Sequence, residues 1–184
     1  MLDQIAIFLV DTVATFIVFL LLARFLFQWL RVPFHNPAGE FVLATTSWIV
    51  VPVRRFIPGL AGLDLATLIL CWLLQLMGLW LQAAIAGAQP ALLALAAVAV
   101  VDLVRYGVYL LVFAVIVQAV LSWVNPYTPV GPAFDALTRP LLRPLRRVVP
   151  PIANVDLTPL VLLVILQVLL IPLAHLRLLA AGLP

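Results

Sequence analysis

The chain has 184 residues, of which 66% are hydrophobic and only 9% charged. Soluble domains carry about 25% charged residues, so this chain has too few polar groups to cover a surface exposed to water. Its net charge of +3 comes from arginine alone, without lysine, and this charge is too small and too confined to loops to predict nucleic acid as a partner. The composition predicts an integral membrane protein whose surface is largely solvated by lipid.

The sequence also argues against a disulfide-bonded protein and against an enzyme. The single cysteine, Cys71, lies inside an apolar run, which excludes an intrachain disulfide and a cysteine-based metal site. No phosphate loop, haem-attachment motif, nucleophile elbow or spacing of metal ligands is present, so the sequence predicts a non-enzymatic protein with no cofactor. The start of the chain lacks the positive region of a signal peptide, and we interpret its apolar run as a retained anchor.

Four apolar segments approach or exceed the roughly 20 residues that a membrane-spanning helix needs. The third segment is hard to delimit. Residues 90–124 are apolar except for Asp102, Arg105 and Gln118, and this stretch is too long for one upright span. We predict that residues 91–101 form either a helical extension or a helix in the interface, and that Pro172 kinks the last span. The predicted spans are 5–30, 63–86, 104–124 and 158–178.

The segments between paired spans, 31–62 and 125–155, share one plan. Each opens with prolines and asparagines that end the preceding helix. A short amphipathic stretch follows, near 39–51 in the first segment and 133–142 in the second. This spacing predicts a short helix lying in the interface plane.

A basic motif then occurs twice, at an offset of 92 residues. In each copy a proline-bounded arginine pair, predicted to form a turn, is followed six residues later by an aspartate that can cap the next span. The same 92-residue offset separates Thr46 from Thr138 and Gln75 from Gln167. The motif residues are Pro52, Arg54, Arg55, Pro58 and Asp64, then Pro144, Arg146, Arg147, Pro150 and Asp156.

An internal repeat of this kind decides the architecture. We predict an all-α membrane protein of four transmembrane helices, arranged as two tandem hairpins over residues 1–89 and 90–184. Each hairpin carries a short amphipathic interfacial helix in its loop. Because each copy contains two spans, the hairpins have the same orientation and are related by an axis along the membrane normal.

The arginines predict the orientation. The two long loops contain seven arginines, against two on the other side, Arg105 and Arg177. The positive-inside rule therefore puts both loops in the cytoplasm and both termini outside.

The repeated motif, together with Arg24 and Trp29 at the end of the first span, Asn36-Pro37 and Ser122-Trp123, resembles the YggT family. These are small bacterial inner-membrane proteins, similar to the YlmG proteins of plastids and other bacteria. The resemblance covers nearly the whole chain and implies a multi-pass protein without a well-defined activity. It also implies links to osmotic-stress tolerance, ion homeostasis and cell division, and in plastids to nucleoid distribution and cytochrome assembly. The copies are not identical, since Gln118 lies near where the second would match Arg24.

The arginine pairs have two interpretations. They are a docking surface for anionic lipid headgroups or an acidic partner, at roughly 1 kcal/mol for each arginine, or they only fix the topology. Each pair can also form an ion pair with the following aspartate. Arg24 either reaches Asp64 or extends its head towards the interface.

The polar residues inside the spans leave two functions open. Gln75 and Gln167 either line a polar path or hydrogen-bond between helices, and Asp102 and Arg105 are expected to pair with each other. We favour a membrane scaffold or assembly factor in envelope or osmotic-stress homeostasis. The alternative is an oligomeric channel or transporter subunit with Arg24, Gln75 and Gln167 facing a pore. Expected partners are anionic membrane lipids, other membrane proteins and further copies of the chain.

Overall fold

The computed structural model describes residues 1–57, 59, 63–125, 127–149 and 156–182. These residues fold into six α-helices, two of which lie in the loops between the spans. The helices are α1 (Leu2–Trp29), α2 (Pro37–Arg54), α3 (Leu65–Ile85), α4 (Leu92–Val124), α5 (Gly131–Val148) and α6 (Thr158–Ala180).

Helices α1, α3, α4 and α6 are long and apolar enough to cross a membrane, which confirms the four predicted spans. The third span begins earlier than predicted, because residues 92–101 are a helical extension of α4. Asp102 and Arg105 lie near the predicted start of this span. They pair with each other inside the bundle, so these charges do not end the helix. With 33 residues, α4 is about 50 Å long.

The loop helices α2 and α5 are longer than the stretches predicted for them. Asn36 caps α2, since its side chain accepts a hydrogen bond from the Gly39 amide at 3.0 Å, and Pro37 occupies the first helical turn. The turn predicted over the arginine motif begins later than expected in the first copy, where residues 55–56 form it, and residues 144–148 of the second copy are helical instead. Helix α2 continues to Arg54 and α5 to Val148, because arginine is favoured at the negative end of a helix dipole. Pro58, Pro150 and the Trp123 side chain lie outside the described part of the structure.

Both repeats pack in the same way. The first span of each contacts the second, and the loop helix rests on both, as α1 with α3 and α2, and α4 with α6 and α5. The repeats join where α4 packs on α3 and α1. Ala133 and Leu137 of α5 share a core cluster with Leu26 and Phe27 at the end of α1. Both loop helices therefore lie at one end of the bundle, which we call the loop face.

Gly39 supports this arrangement because it brings the start of α2 against the preceding chain. A Cβ atom at this position would lie 2.5 Å from the Phe34 carbonyl oxygen. Gly107 in α4 offers a contrast, since a Cβ atom there would have nothing within 4 Å.

We predict that Gly39→Ala lowers the free energy of unfolding by about 1–3 kcal/mol, because the added methyl group forces the backbone apart. Gly107→Ala should raise it by about 0.5–1 kcal/mol, since alanine favours the helix interior. Denaturation in mixed micelles measures both. Changes of the same sign and size would contradict the assigned role of Gly39.

Candidate functional site

The first arginine motif forms an ion pair that joins three helices at the loop face. Arg54 Nη2, at the end of α2, lies 2.5 Å from Asp64 Oδ2 and 2.9 Å from Gln28 Oε1 near the end of α1. Asp64 also caps α3, accepting hydrogen bonds from the Thr67 amide and hydroxyl. The predicted ion pair and the predicted cap are both present, on one carboxylate.

Asp64 is almost fully buried, at 8% exposure. Burial by itself would raise the pKa of its carboxyl, but the Arg54 guanidinium and the Thr67 donors hold that pKa below its ordinary value. The carboxylate therefore stays charged at neutral pH and maintains its ion pair with Arg54.

The second motif forms the equivalent ion pair closer to water. Arg146 Nε lies 3.0 Å from Asp156 Oδ2, and both side chains are nearly half exposed. Asp156 accepts a hydrogen bond from the Thr158 amide at 2.9 Å, although the N-cap of α6 is Leu157. Burial would raise the pKa of the Asp156 carboxyl, but the Thr158 donors and Arg146 lower it. The ion pair between arginine and aspartate therefore recurs in the second repeat, but Asp156 is much more exposed than Asp64.

The other arginine of each pair is exposed. Arg55 forms the C-cap of α2 and Arg147 stands in the last turn of α5. Among the described residues, neither has a side-chain hydrogen bond or ion pair, and both are exposed, as are Arg31 and Arg143. Each motif thus holds one arginine in an ion pair, which we call the latch, and presents the next one outwards.

A cavity of about 630 Å³ opens beside the first latch. Arg31 and Arg54 line it with Gln28 and Asp64. Arg31 adopts the left-handed backbone region, with φ at 53°. Two arginines, one of them latched, therefore line the same cavity.

Arg24 is buried at 3% exposure and forms no ion pair with Asp64, so the expected contact between these two residues is wrong. Its Nη1 donates to the hydroxyls of Thr46 at 2.8 Å and Ser47 at 3.2 Å on α2. In the second repeat, Gln118 accepts a hydrogen bond from Thr138 on α5. Sequence reasoning missed these threonine partners, although the recurrence of Thr46 and Thr138 was a signal for them.

A second polar cluster lies away from the loop face. Asp102 is 2% exposed and accepts hydrogen bonds from Gln75 Nε2 at 3.2 Å, Arg105 Nη1 at 3.3 Å and Arg177 Nε at 2.7 Å. The pairing of Asp102 with Arg105 was expected, whereas Gln75 and Arg177 were not foreseen as its partners. Gln167, the repeat counterpart of Gln75, is instead exposed on α6.

Known proteins resemble the chain along most of its length. The family model described as CCB3/YggT matches it twice, over residues 4–85 and 97–177. The chain belongs to the CCB3/YggT family. The double match fits the tandem repeat and confirms the resemblance found in the sequence.

Curated relatives of this YggT-family protein carry names that describe them as uncharacterized. A protein of Pseudomonas aeruginosa is 32% identical over 86% of this chain and 82% of its own length. The protein YggT of Escherichia coli is 32% identical over 88% of this chain and 85% of its own length. A protein of Haemophilus influenzae is 27% identical over 90% and 88%, respectively. No solved structure matches the chain.

Asp64, Asp102 and Asp156 are all engaged in ion pairs. Within the described ranges, no three histidine, cysteine, aspartate or glutamate side chains are grouped to hold a metal ion.

We predict that Thr46→Val lowers the free energy of unfolding by about 1.5–3 kcal/mol, because a buried guanidinium loses an acceptor. Thr138→Val should cost about 1 kcal/mol, since its partner Gln118 is neutral. Thr45→Val is the matched control, because the Thr45 hydroxyl bonds only to carbonyls of its own helix. Equal losses for Thr45→Val and Thr46→Val would contradict the role assigned to Arg24.

Proposed function

We propose that this protein is a non-enzymatic membrane scaffold or assembly factor, whose exposed arginines bind anionic headgroups of the cytoplasmic leaflet. The proposal rests on one observation, which is that the two arginines of each pair have different surroundings. Arg54 and Arg146 are held by aspartates, while Arg55 and Arg147 are exposed and form no ion pair among the described residues. A topology signal needs only positive charge near the spans, and does not need a latch that fixes the position of the next arginine.

The distribution of charge supports a position against an anionic surface. Four arginines are exposed and form no ion pair among the described residues, and all belong to the segments of the loop face: Arg31, Arg55, Arg143 and Arg147. Near an anionic leaflet each contributes about 1 kcal/mol. The positive-inside rule assigns the loop face to the cytoplasm, with the termini outside, in a bacterial inner membrane.

The cavity beside Arg31 and Arg54 suits one headgroup more closely than a flat surface does. Two arginines line it, and arginine binds phosphate through two parallel hydrogen bonds. The pairing of Arg54 with Asp64 holds that side chain in position before any headgroup arrives.

A pore within one chain is less well supported. Arg24 is bonded to Thr46, Gln75 is bonded to Asp102, and Gln167 is exposed on α6. These surroundings differ, so the three residues do not line a common polar path. A channel would require an oligomer that brings them together in another way.

At the level of the cell, we propose a role in envelope or osmotic-stress homeostasis, which rests on the family resemblance. Cross-linking and co-purification in gentle detergent, with wild type against a variant lacking the exposed arginines, would identify the proteins that the scaffold assembles.

We predict that Arg55→Gln with Arg147→Gln weakens binding of phosphatidylglycerol, because two exposed charges are removed. At about 1 kcal/mol for each arginine, the loss is roughly 30-fold in affinity. Native mass spectrometry of the detergent-solubilised full chain, titrated with this lipid, measures it.

The matched control is Arg55→Lys with Arg147→Lys, which keeps both charges and should retain most of the binding. Phosphatidylcholine should bind wild type and both variants alike. Undiminished phosphatidylglycerol binding by the glutamine variant would overturn the proposal.

A further inference from the structure

Gln167 is an exposed amide in the middle of a span. It lies nine residues after Thr158, the first residue of α6, and therefore about 14 Å along the helix. Within the described residues its side chain makes no hydrogen bond, and it is exposed. An amide without a hydrogen-bond partner is unfavourable in hydrocarbon, so this position calls for a partner from outside the chain.

Its repeat counterpart shows how the fold handles a glutamine at this depth. Gln75 is 5% exposed and donates to Asp102 on the neighbouring helix α4. The same residue type thus serves as a contact between helices in the first repeat. In the second repeat α6 packs on α4 and α5 through Thr158, Leu162 and Leu166, on the side away from Gln167.

The exposed side of α6 has the spacing of a helix-packing seam. Six residues follow one another at alternating intervals of four and three, which is the heptad spacing of two helices that pack side by side. All six are exposed, and Gln167 is the one polar member. The seam consists of Leu160, Val164, Gln167, Ile171, Ala174 and Leu178.

We propose that the seam binds the same seam of a second copy, so that the protein forms a dimer about a two-fold axis along the membrane normal. Copies inserted with one topology hold Gln167 at one depth, and only such an axis brings identical residues together in parallel helices. An amide both donates and accepts, so Gln167 complements itself across this axis. One polar residue at a heptad core position also sets the register.

The dimer does not depend on the proposed lipid binding. It has a consequence for the loop face, however, because two copies with one orientation present their exposed arginines to the same leaflet. A dimer doubles that charged surface without any rearrangement within the chain.

Site-directed cross-linking in native membranes tests the dimer, using the full chain with Cys71→Ala as background. Val164→Cys and Ile171→Cys lie on the seam, whereas Ile165→Cys and Leu169→Cys are exposed positions of α6 outside it. Mild oxidation should give a species of twice the chain mass at the seam positions, several-fold more than at the control positions. Equal yields, absence of that species, or adducts of another mass would overturn the proposal.

Substitution of the amide tests the role of Gln167 itself. Gln167→Leu should weaken dimerisation in detergent roughly three- to twenty-fold, the range expected for a hydrogen bond between membrane helices. Gln167→Asn keeps an amide and should restore much of the loss, whereas a purely apolar interface would make leucine the better residue. A dimer unaffected by Gln167→Leu would overturn the amide contact.

Discussion

Hydrocarbon offers no hydrogen-bond partners to a buried polar group, and this constraint decides where the intramembrane polar side chains of this protein go. Arg24 lies against hydroxyls of α2, and Asp102 gathers a glutamine and two arginines from three helices. Apart from the Asp102–Arg105 pair within α4, each of these contacts joins a span to another helix, so the few polar residues help to fix the relative positions of the helices.

At the loop face, the need to pair a buried charge gives the two arginines of the first motif different roles. Asp64 is buried and must remain paired, so it holds Arg54 and, through it, the ends of α1, α2 and α3. Arg55 is the next residue along the chain and is exposed. A rigid helix end therefore presents a charge outwards, which is the arrangement that the proposed scaffold requires.

Much of the fold could be predicted from the sequence, because four apolar segments and a repeat at one offset leave few arrangements. The errors arose where tertiary contacts override local pattern. Pro52 and the arginines were predicted to form a turn, but helix α2 continues through Pro52 to Arg54 and the turn begins only at Arg55. The third span was predicted to start after Asp102, whose partners on α3 and α6 the sequence does not reveal.

The repeat itself misled in one respect. Gln75 and Gln167 occupy equivalent positions in the sequence, yet one is buried beneath α4 and the other is exposed. The two hairpins have different neighbours, and sequence equivalence carries no information about them. The roles of the arginine, proline and aspartate motif residues in binding remain predictions.

A double-mutant cycle tests most directly whether the two arginines of a pair have different roles. Combining Arg54→Gln with Asp64→Asn should give a coupling energy above the roughly 0.5 kcal/mol within which independent sites add. Combining Arg55→Gln with Asp64→Asn should stay within that limit. Because the folded pKa of Asp64 is lowered, the first coupling should be complete above about pH 4, the ordinary pKa of aspartate, and should disappear as the pH falls through the folded value. Equal coupling in both cycles would contradict the division of roles.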